Sequence, residues 1–418
     1  MPEYDDIDLR ALFTPLTING LALRNRFVMP GMQRGWCQDG RPGPQLASYY
    51  RERAEGEVAL IITEACAVDH PSATQGPYYG WMRPDTTEAW RACVAAAHAG
   101  GARFFVQLWH EGAIRKEGGT GRYARYPTLS PSGYLRPGLR NGRAATLEEL
   151  NELRAAFVRS AELAREIGAD GVEVHAAHGY LLDQFLWAGT NVREDGYGGP
   201  DIRNRVRFPA EIVASIRAAV GRDFPISFRF SQWKEIDFTA KVAQTPDELR
   251  VMISALRAAG VDLFHVSTRR FHMPEWAGSD LGLAGWVKSM TDAAVCAVGS
   301  VGLGADIMES AEGTRAVGHQ LGFGLRELQR RFARGDFDLV SVGRSNISDP
   351  AWVKKVREGR YSEIRFFKRE HLERPGRDNT PHVAAAFVEA RKAEALRDAR
   401  AQNEAASAPP GPDTTPAR

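Results

Sequence analysis

Several features that define other protein classes are missing from this chain of 418 residues. No apolar run approaches the roughly 20 residues of a membrane-spanning helix. The polar start, Met1–Asp8, lacks the charged-then-apolar pattern of a signal peptide. The few cysteines are widely spaced and form no Cys-x-x-Cys pair, so neither a zinc site nor an iron–sulfur cluster is indicated. They are Cys37, Cys66, Cys93 and Cys296. We therefore expect reduced thiols and a cytoplasmic location.

An excess of charge of either sign is also missing. The chain has 54 Lys and Arg against 52 Asp and Glu, which gives a formal net charge of +2. This balance offers no electrostatic case for a nucleic acid or a membrane as partner. We expect a small-molecule substrate, and a homo-oligomer is compatible with the sequence. No Gly-x-Gly-x-x-Gly motif opens a helix after the first strand, so a dinucleotide site of the Rossmann type is not expected.

Short apolar runs alternate with helical patterns along most of the chain. Most of the runs follow a helix pattern that stops at a glycine, as C-terminal capping predicts. The eight runs are Arg26–Pro30, Ala59–Thr63, Arg103–Gln107, Gly171–His175, Pro225–Arg229, Asp262–Val266, Ala294–Val298 and Asp338–Val342. Such a pattern predicts a parallel (β/α)8 TIM barrel. An N-terminal β-hairpin with an Asn19-Gly20 turn is expected to close the bottom of the barrel.

Three segments are additions to the minimal (β/α)8 barrel. Glu111–Arg143 is a loop after the third strand with the length of a functional lid. Leu303–Gly324 separates the seventh strand from its helix. We assign residues 1–372 to the barrel domain and residues 373–418 to a C-terminal extension. The extension begins with a helical pattern and ends in a Pro-rich stretch that we expect to be disordered.

Two imidazoles and a phenol follow one another closely where the fourth strand ends. Glu173 and His175 share one face of this strand by the period-two rule, and His178 and Tyr180 lie just beyond it. In parallel α/β proteins, ligands bind at the carboxyl ends of the strands. Two histidine donors and a tyrosine acid suit a substrate whose carbonyl gains negative charge while a neighbouring carbon gains a proton.

Three other interpretations of these side chains remain open at this point. A histidine at a strand end can be a hydrogen-bonded structural residue. The His-x-x-His pair could bind a metal, with Asp183 or Glu173 as a third ligand. Tyr180 could belong to the core, with its hydroxyl at the rim. The spacing alone does not separate these interpretations.

Other strand ends also carry polar side chains or glycine. Gln107 ends the third predicted strand and Arg229 ends the fifth. Gly299–Gly302 follows the seventh strand, and Gly343 and Arg344 follow the eighth. Glycine-rich turns at these two places are the recurrent phosphate site of the barrel fold, and a guanidinium matches phosphate oxygens. The alternative is that Arg344 pairs with a neighbouring carboxylate.

Taken together, these residues resemble the Old Yellow Enzyme family of FMN-dependent ene reductases. The resemblance covers roughly residues 12–358. Its most specific part is His175–Leu186, followed by Asn191–Arg205. Supporting matches are Asn25–Met29, Ile61–Ala65, Gln107–His110 and Val342–Arg344.

The resemblance implies roles for the substrate residues. His175 and His178 would hydrogen-bond the carbonyl oxygen of the substrate. Tyr180 would protonate the carbon next to that carbonyl. Trp109 would form part of the wall of the substrate site.

The resemblance also implies a set of FMN contacts. Gln107 and Arg229 would contact the pyrimidine edge of the flavin, where a permanent cation stabilises the anionic reduced form. The implied cofactor residues are Pro30, Gly31, Met32, Gln33, Ala65, Gln107, Arg229, Gly302, Gly343 and Arg344.

The chain departs from the family pattern in three places. Where the family often has Thr or Cys near N5 and O4 of the flavin, this chain has Gln33, which can donate an amide hydrogen bond. The loop Thr268–Ser279 is large and aromatic, so the substrate range does not carry over. The iron–sulfur cysteines of the larger dienoyl-CoA reductase relatives are absent, which implies a single cofactor.

The predicted function is reduction of the C=C bond of α,β-unsaturated carbonyl compounds by FMN, with NAD(P)H as reductant and no metal. One alternative is the reverse flow, in which the flavin oxidises a ketone and oxygen reoxidises the flavin. A second is a metal-dependent hydrolase on the same barrel, for which only Glu64 offers a further ligand at a strand end. A third is a flavoprotein that binds a ligand without turnover, which the intact His175, His178 and Tyr180 argue against.

Overall fold

The computed structural model describes residues 4–117, 123–303, 321–368 and 371. Within these residues, eight parallel strands form a closed barrel. They are Phe27–Met29, Leu60–Ile62, Arg103–Trp109, Gly171–His178, Ile226–Lys234, Leu263–Ser267, Ala294–Val298 and Leu339–Ser341. The barrel closes because the eighth strand pairs in parallel with the first, with Val340 opposite Phe27. The predicted (β/α)8 barrel and all eight predicted strands are therefore confirmed.

Helices connect the strands and cover the outside of the barrel. The described α-helices are Pro44–Glu55, Thr87–Ala99, Leu147–Glu166, Leu181–Leu186, Ile202–Val220, Pro246–Ala259, Leu283–Lys288, Leu321–Ala333, Arg344–Ser348 and Trp352–Arg357. Short 3-10 helices are Arg10–Phe13, Pro84–Thr86, Gly112–Ile114 and Tyr361–Glu363. The long helix after the third strand begins with a capping box, in which the Thr146 hydroxyl accepts from the Glu149 amide and the Glu149 carboxylate accepts from the Thr146 amide. None of the described helices is long and apolar enough to cross a membrane.

The N-terminal hairpin closes the bottom of the barrel, as predicted. Its strands, Leu16–Ile18 and Leu21–Leu23, are antiparallel, and Asn19 and Gly20 have φ values of 45° and 80°. Ile18 and Leu23 are buried against the beginnings of the barrel strands. Their partners include Val28, Leu60, Phe105, Leu263 and Leu339. Burial of this apolar cluster fixes the end of the barrel opposite the site.

The connecting segments carry short strands of their own. Cys66–Val68 pairs with the end of the third barrel strand and also with Gly80–Met82. The long loop after the third strand is built from Leu129–Ser130, Tyr134–Arg136, Leu139–Arg140 and Arg143–Ala144. Cys37–Gln38 and Arg41–Pro42 form a small hairpin after the first strand. Most of the predicted insertion 303–324 and all of the predicted extension 373–418 lie outside the described residues, so the domain boundary remains a prediction.

Three strands that carry the site are longer than the sequence pattern predicted. The expected ends were Gln107, His175 and Arg229, whereas the strands continue to Trp109, His178 and Lys234. Pairing with neighbouring strands extends them, because Ser231 lies opposite Ser267 and His178 lies opposite Lys234. The expectation that His175 and Arg229 occupy the last strand positions was therefore wrong, although both side chains lie in the upper part of the barrel.

Candidate active site

Four rings that the sequence assigned to the substrate lie together at the carboxyl ends of the third and fourth strands. The ring centroids of His175 and His178 are 5.3 Å apart, and those of His175 and Tyr180 are 5.2 Å apart. Trp109 meets Tyr180 edge to face at 5.2 Å, and its buried indole Nε1 has no hydrogen-bond partner among the described residues. Trp233, from the fifth strand, packs against His178 at 4.7 Å. The structure thus brings the predicted substrate residues together and adds Trp233 to them.

An unusual turn separates the second histidine from the tyrosine. His178 has φ 67° and Gly179 has φ 91°, a region that a non-glycine residue adopts infrequently. The His178 amide donates to the Ser231 hydroxyl at 3.0 Å, and the Gly179 amide donates to Asp183 Oδ2 at 2.6 Å. Two side-chain acceptors therefore hold the backbone that presents His178 and Tyr180.

Both imidazoles are neutral at ordinary pH. Burial, followed by the charge of Arg229, lowers the pKa of His175 to about 3. The same two causes lower the pKa of His178 well below its usual range. Each ring therefore has one N–H to donate. His175 Nδ1 is buried and makes no hydrogen bond in the part of the chain that the structure describes.

The proton position on His178 depends on a buried serine. His178 Nε2 lies 2.8 Å from the hydroxyl oxygen of Ser267 at the end of the sixth strand. If this hydroxyl donates to Nε2, the imidazole proton is on Nδ1, where it is available to a substrate oxygen. Ser267 was not singled out by the sequence, because a single serine at a strand end carries no specific signal.

Replacing this serine tests its role. We expect Ser267→Ala to weaken phenol binding by roughly fivefold, because a typical hydrogen bond contributes about 1 kcal/mol. Titration of the flavin absorbance with a phenol would measure the effect. In a His178→Ala background the serine substitution should have no further effect. An equal loss in both backgrounds would show that Ser267 does not act through His178.

A buried cluster lies below these rings on the inner face of the barrel. Glu173 is fully buried and accepts from Gln107 Nε2 at 2.8 Å. The Ser227 hydroxyl donates to its other oxygen at 2.9 Å, and His265 Nδ1 lies 2.7 Å from that oxygen. Burial alone raises the pKa of Glu173, but the charges and hydrogen bonds of His265, Arg229 and Gln107 lower it to about 2. The carboxyl group is therefore ionised and acts only as an acceptor.

Arg229 and Gln107 fit the pyrimidine edge of a flavin. Arg229 is buried, and its Nη1 donates to the Gly31 carbonyl at 3.4 Å. Its Nε has no hydrogen-bond partner within the part of the chain that the structure describes. A Cβ at Gly31 would lie 2.5 Å from the Thr63 carbonyl oxygen and 2.8 Å from Gln107 Nε2, so only glycine fits there. A buried guanidinium is costly unless negative charge lies close to it. The N1–C2=O2 edge of a reduced flavin would provide that negative charge.

The turns after the seventh and eighth strands come together with the turn after the first. Arg344 Nη2 donates to the Ser300 hydroxyl at 3.1 Å. A Cβ at Gly343 would lie 3.3 Å from Met32 Sδ and 3.5 Å from Pro30. Gly302 has φ 68°, which favours glycine. Backbone N–H groups of such glycine turns, together with the guanidinium of Arg344, would form a donor set that fits a terminal phosphate.

The turn after the first strand differs from expectation in one contact. Gln33 Nε2 donates to Glu64 Oε1 at 3.1 Å, and the buried Gln33 Oε1 meets no donor in the described residues. The amide hydrogens that we expected to face the flavin therefore point to Glu64. Ala65, which was predicted to lie beside the flavin ring, follows Glu64 and is half-buried. Among the described residues, no group of three or more His, Cys, Asp or Glu side chains could hold a metal ion.

Comparison with known proteins identifies the family to which the chain belongs. The model of the NADH:flavin oxidoreductase / NADH oxidase family matches residues 11–318. The chain belongs to this family. The predicted Old Yellow Enzyme family is therefore confirmed, together with its FMN cofactor.

Individual members of the family cover different shares of the chain. An NADH oxidase of Thermoanaerobacter brockii is 34% identical over 365 residues, which are 85% of this chain and 52% of that protein. The chain thus spans about half the length of that relative. A 12-oxophytodienoate reductase 7 of Oryza sativa is 30% identical over 373 residues, covering 83% of this chain and 87% of that protein. Morphinone reductase in complex with tetrahydroNAD has a TM-score of 0.71 and 25% identity, over 87% of this chain and 94% of that chain.

The sequence patterns did not identify Ser227, Ser231 and His265 as residues of the site. Ser227, Arg229 and Ser231 alternate along the fifth strand, and this period of two marks the inner face of the barrel. Applied to all strands, the same rule would have placed His265 inside the barrel as well. No sequence signal links His265 to Glu173, because 92 positions separate them.

Proposed function

We propose that the protein reduces the C=C bond of α,β-unsaturated carbonyl compounds, using FMN and NAD(P)H. The observation that carries the proposal is the grouping of His175, His178 and Tyr180 above Gln107 and Arg229. The first three side chains offer two neutral donors and one acid, and the last two fit the edge of a flavin. The reductase names of two relatives support reduction rather than ketone desaturation as the direction of the reaction.

Each side chain has a separate task in this reaction. When bound, FMN supplies hydride from N5. His175 and His178 donate hydrogen bonds to the carbonyl oxygen and stabilise the enolate that develops there. One such donor typically contributes about 10²–10³ in rate. Tyr180 transfers its phenolic proton to the α-carbon, and Arg229 holds a positive charge at the pyrimidine edge of the cofactor.

A visible absorption spectrum tests the proposal directly. The purified protein should be yellow with non-covalent FMN, should bleach on anaerobic addition of NAD(P)H, and should recover its colour with 2-cyclohexenone. The recovered product should be cyclohexanone. A protein that takes up FAD instead, or no flavin even after reconstitution, would overturn the proposal.

The two histidines are tested by phenol binding, because a phenolate oxygen mimics the enolate oxygen. We expect His175→Ala and His178→Ala each to weaken phenol binding at least about tenfold, with normal FMN content. His70→Ala is a matched control, because His70 is also buried but bonds Ser72 outside the site. Unchanged phenol affinity in both active-site variants would show that the pair does not face the substrate.

A further inference from the structure

The buried carboxylate of Glu173 has no task in the reaction described above. It is fully buried in the barrel, below the rings that face the substrate. Burying an ionised carboxyl group is costly unless several donors compensate for it. The four-residue network around Glu173 therefore calls for a functional explanation.

Four neighbouring strands contribute to this network. Gln107 and Ser227 lie directly opposite Glu173 on the third and fifth strands, and His265 comes from the sixth strand. All four side chains are at most 2% exposed. Side chains from three neighbouring strands thus bind one carboxylate. Of these side chains, Gln107 is also a predicted contact of the flavin.

The ionised carboxylate determines which way the Gln107 amide points. A carboxylate only accepts, so Gln107 must turn its NH₂ group towards Glu173, as the 2.8 Å contact shows. Its carbonyl oxygen is then directed away and makes no hydrogen bond within the described part of the chain. This oxygen is the acceptor that the N3–H group of a flavin requires. A Cβ at Gly31 would lie 2.8 Å from Gln107 Nε2 and 2.9 Å from Gln107 Oε1, so the glycine leaves room for this amide.

The carboxylate of Glu173 also reduces the net positive charge that Arg229 brings to the flavin site. Arg229 lies two positions after Ser227 on the same strand face, and the negative charge of Glu173 acts on it through the low-dielectric interior. His265 meets the same carboxylate through Nδ1, and burial lowers the pKa of His265 below its usual range. A negative charge near the cofactor disfavours the anionic reduced flavin and lowers its reduction potential.

We infer that Glu173 is a positioning residue for FMN: it orients the amide of Gln107 towards N3 and lowers the reduction potential of the bound flavin. The inference rests on FMN binding from the proposed function. It does not depend on enone reduction, so the two can fail separately.

Glu173→Gln is the first test, because glutamine keeps the size of the side chain, removes the charge and lets Gln107 turn over. We expect the ratio of reduced to oxidised FMN at a fixed potential to rise at least about tenfold, which is ~30 mV for two electrons. We also expect the FMN dissociation constant to rise about tenfold. Equilibration with a redox dye and fluorescence titration of the apoprotein would measure the two quantities without any substrate.

Two further variants separate charge from orientation. Glu173→Asp keeps the charge but draws the carboxylate back from Gln107, so it should weaken FMN binding and leave the potential unchanged. Ser227→Ala removes one donor to the same carboxylate and should not raise the potential. If Glu173→Gln does not fold, weakened FMN binding by folded Glu173→Asp supports the inference. Wild-type potential and affinity in Glu173→Gln, or wild-type affinity in Glu173→Asp, would overturn it.

Discussion

Tyr180→Phe is expected to slow reduction of an enone by about 10²–10⁴-fold, the usual contribution of general acid catalysis. The substitution removes one hydroxyl group and keeps the ring that packs against Trp109 and His175 at 5.2 Å. FMN content and folding should therefore change little. Reduction of FMN by NAD(P)H moves only a hydride, so its rate should also change little.

Rapid mixing separates the two half-reactions: NAD(P)H is mixed with the oxidised enzyme, and the enone is mixed with the reduced enzyme. A nitroalkene is the internal control, because hydride addition leaves a stable nitronate and the loss of the proton donor should matter less. A Tyr180→Phe variant that reduced FMN slowly but reduced the enone at the normal rate would exclude Tyr180 as the acid.

The fold was predictable because each barrel strand carries its own local signal. The eight apolar runs are separated by helices, and the closed parallel sheet is the arrangement that buries all of them. The strand ends were less predictable. Ile226–Lys234 runs five residues beyond Arg229, and this extension is paired with the sixth strand at Ser231 and with the fourth strand at Lys234.

In the site, too, residues that are close in sequence were predictable, whereas contacts between residues far apart in sequence were not. His175, His178 and Tyr180 are close in sequence, and the structure brings them together with Trp109, as predicted. The partners that hold them come from other strands: Ser267 is 89 positions from His178, and Lys234 is 51 positions from Asp183. Contacts over such distances are set by the register of the barrel, which local patterns do not specify. The contact of Gln33 with Glu64 is a second example, because it redirects an amide that the sequence left free for the flavin.

The second large effect concerns a buried ion pair beneath the turn of the active site. Lys234 Nζ donates to Asp183 Oδ1 at 2.6 Å, and both side chains are fully buried. Burial raises the pKa of Asp183 to about 6 and lowers the pKa of Lys234, and the charge of each partner opposes the shift of the other. The second oxygen of Asp183 accepts from the Gly179 amide, between His178 and Tyr180.

We expect Lys234→Met to reduce the free energy of unfolding by about 3–5 kcal/mol, because it leaves the Asp183 carboxylate buried without its cation. Asp183→Asn should cost a similar amount, because it leaves the ammonium group uncompensated. The double variant Asp183→Asn/Lys234→Met should recover most of the loss, since no buried charge remains and asparagine can still accept from Gly179. Urea unfolding followed by circular dichroism would measure all three.

An exposed ion pair provides the matched control. Arg51 and Glu55 form an i,i+4 pair with more than half of each side chain exposed, so Arg51→Met should change stability by less than about 0.5 kcal/mol.

The double variant Asp183→Asn/Lys234→Met tests how this buried ion pair contributes to substrate binding. Because asparagine keeps the hydrogen bond to Gly179, the turn should persist, and phenol affinity should return together with stability. Recovered stability without recovered phenol affinity would mean that the charges themselves, rather than the bond to Gly179, place His178 and Tyr180. A double variant as unstable as Lys234→Met would show instead that the packing of these two side chains, and not their charge, supports the barrel at this point.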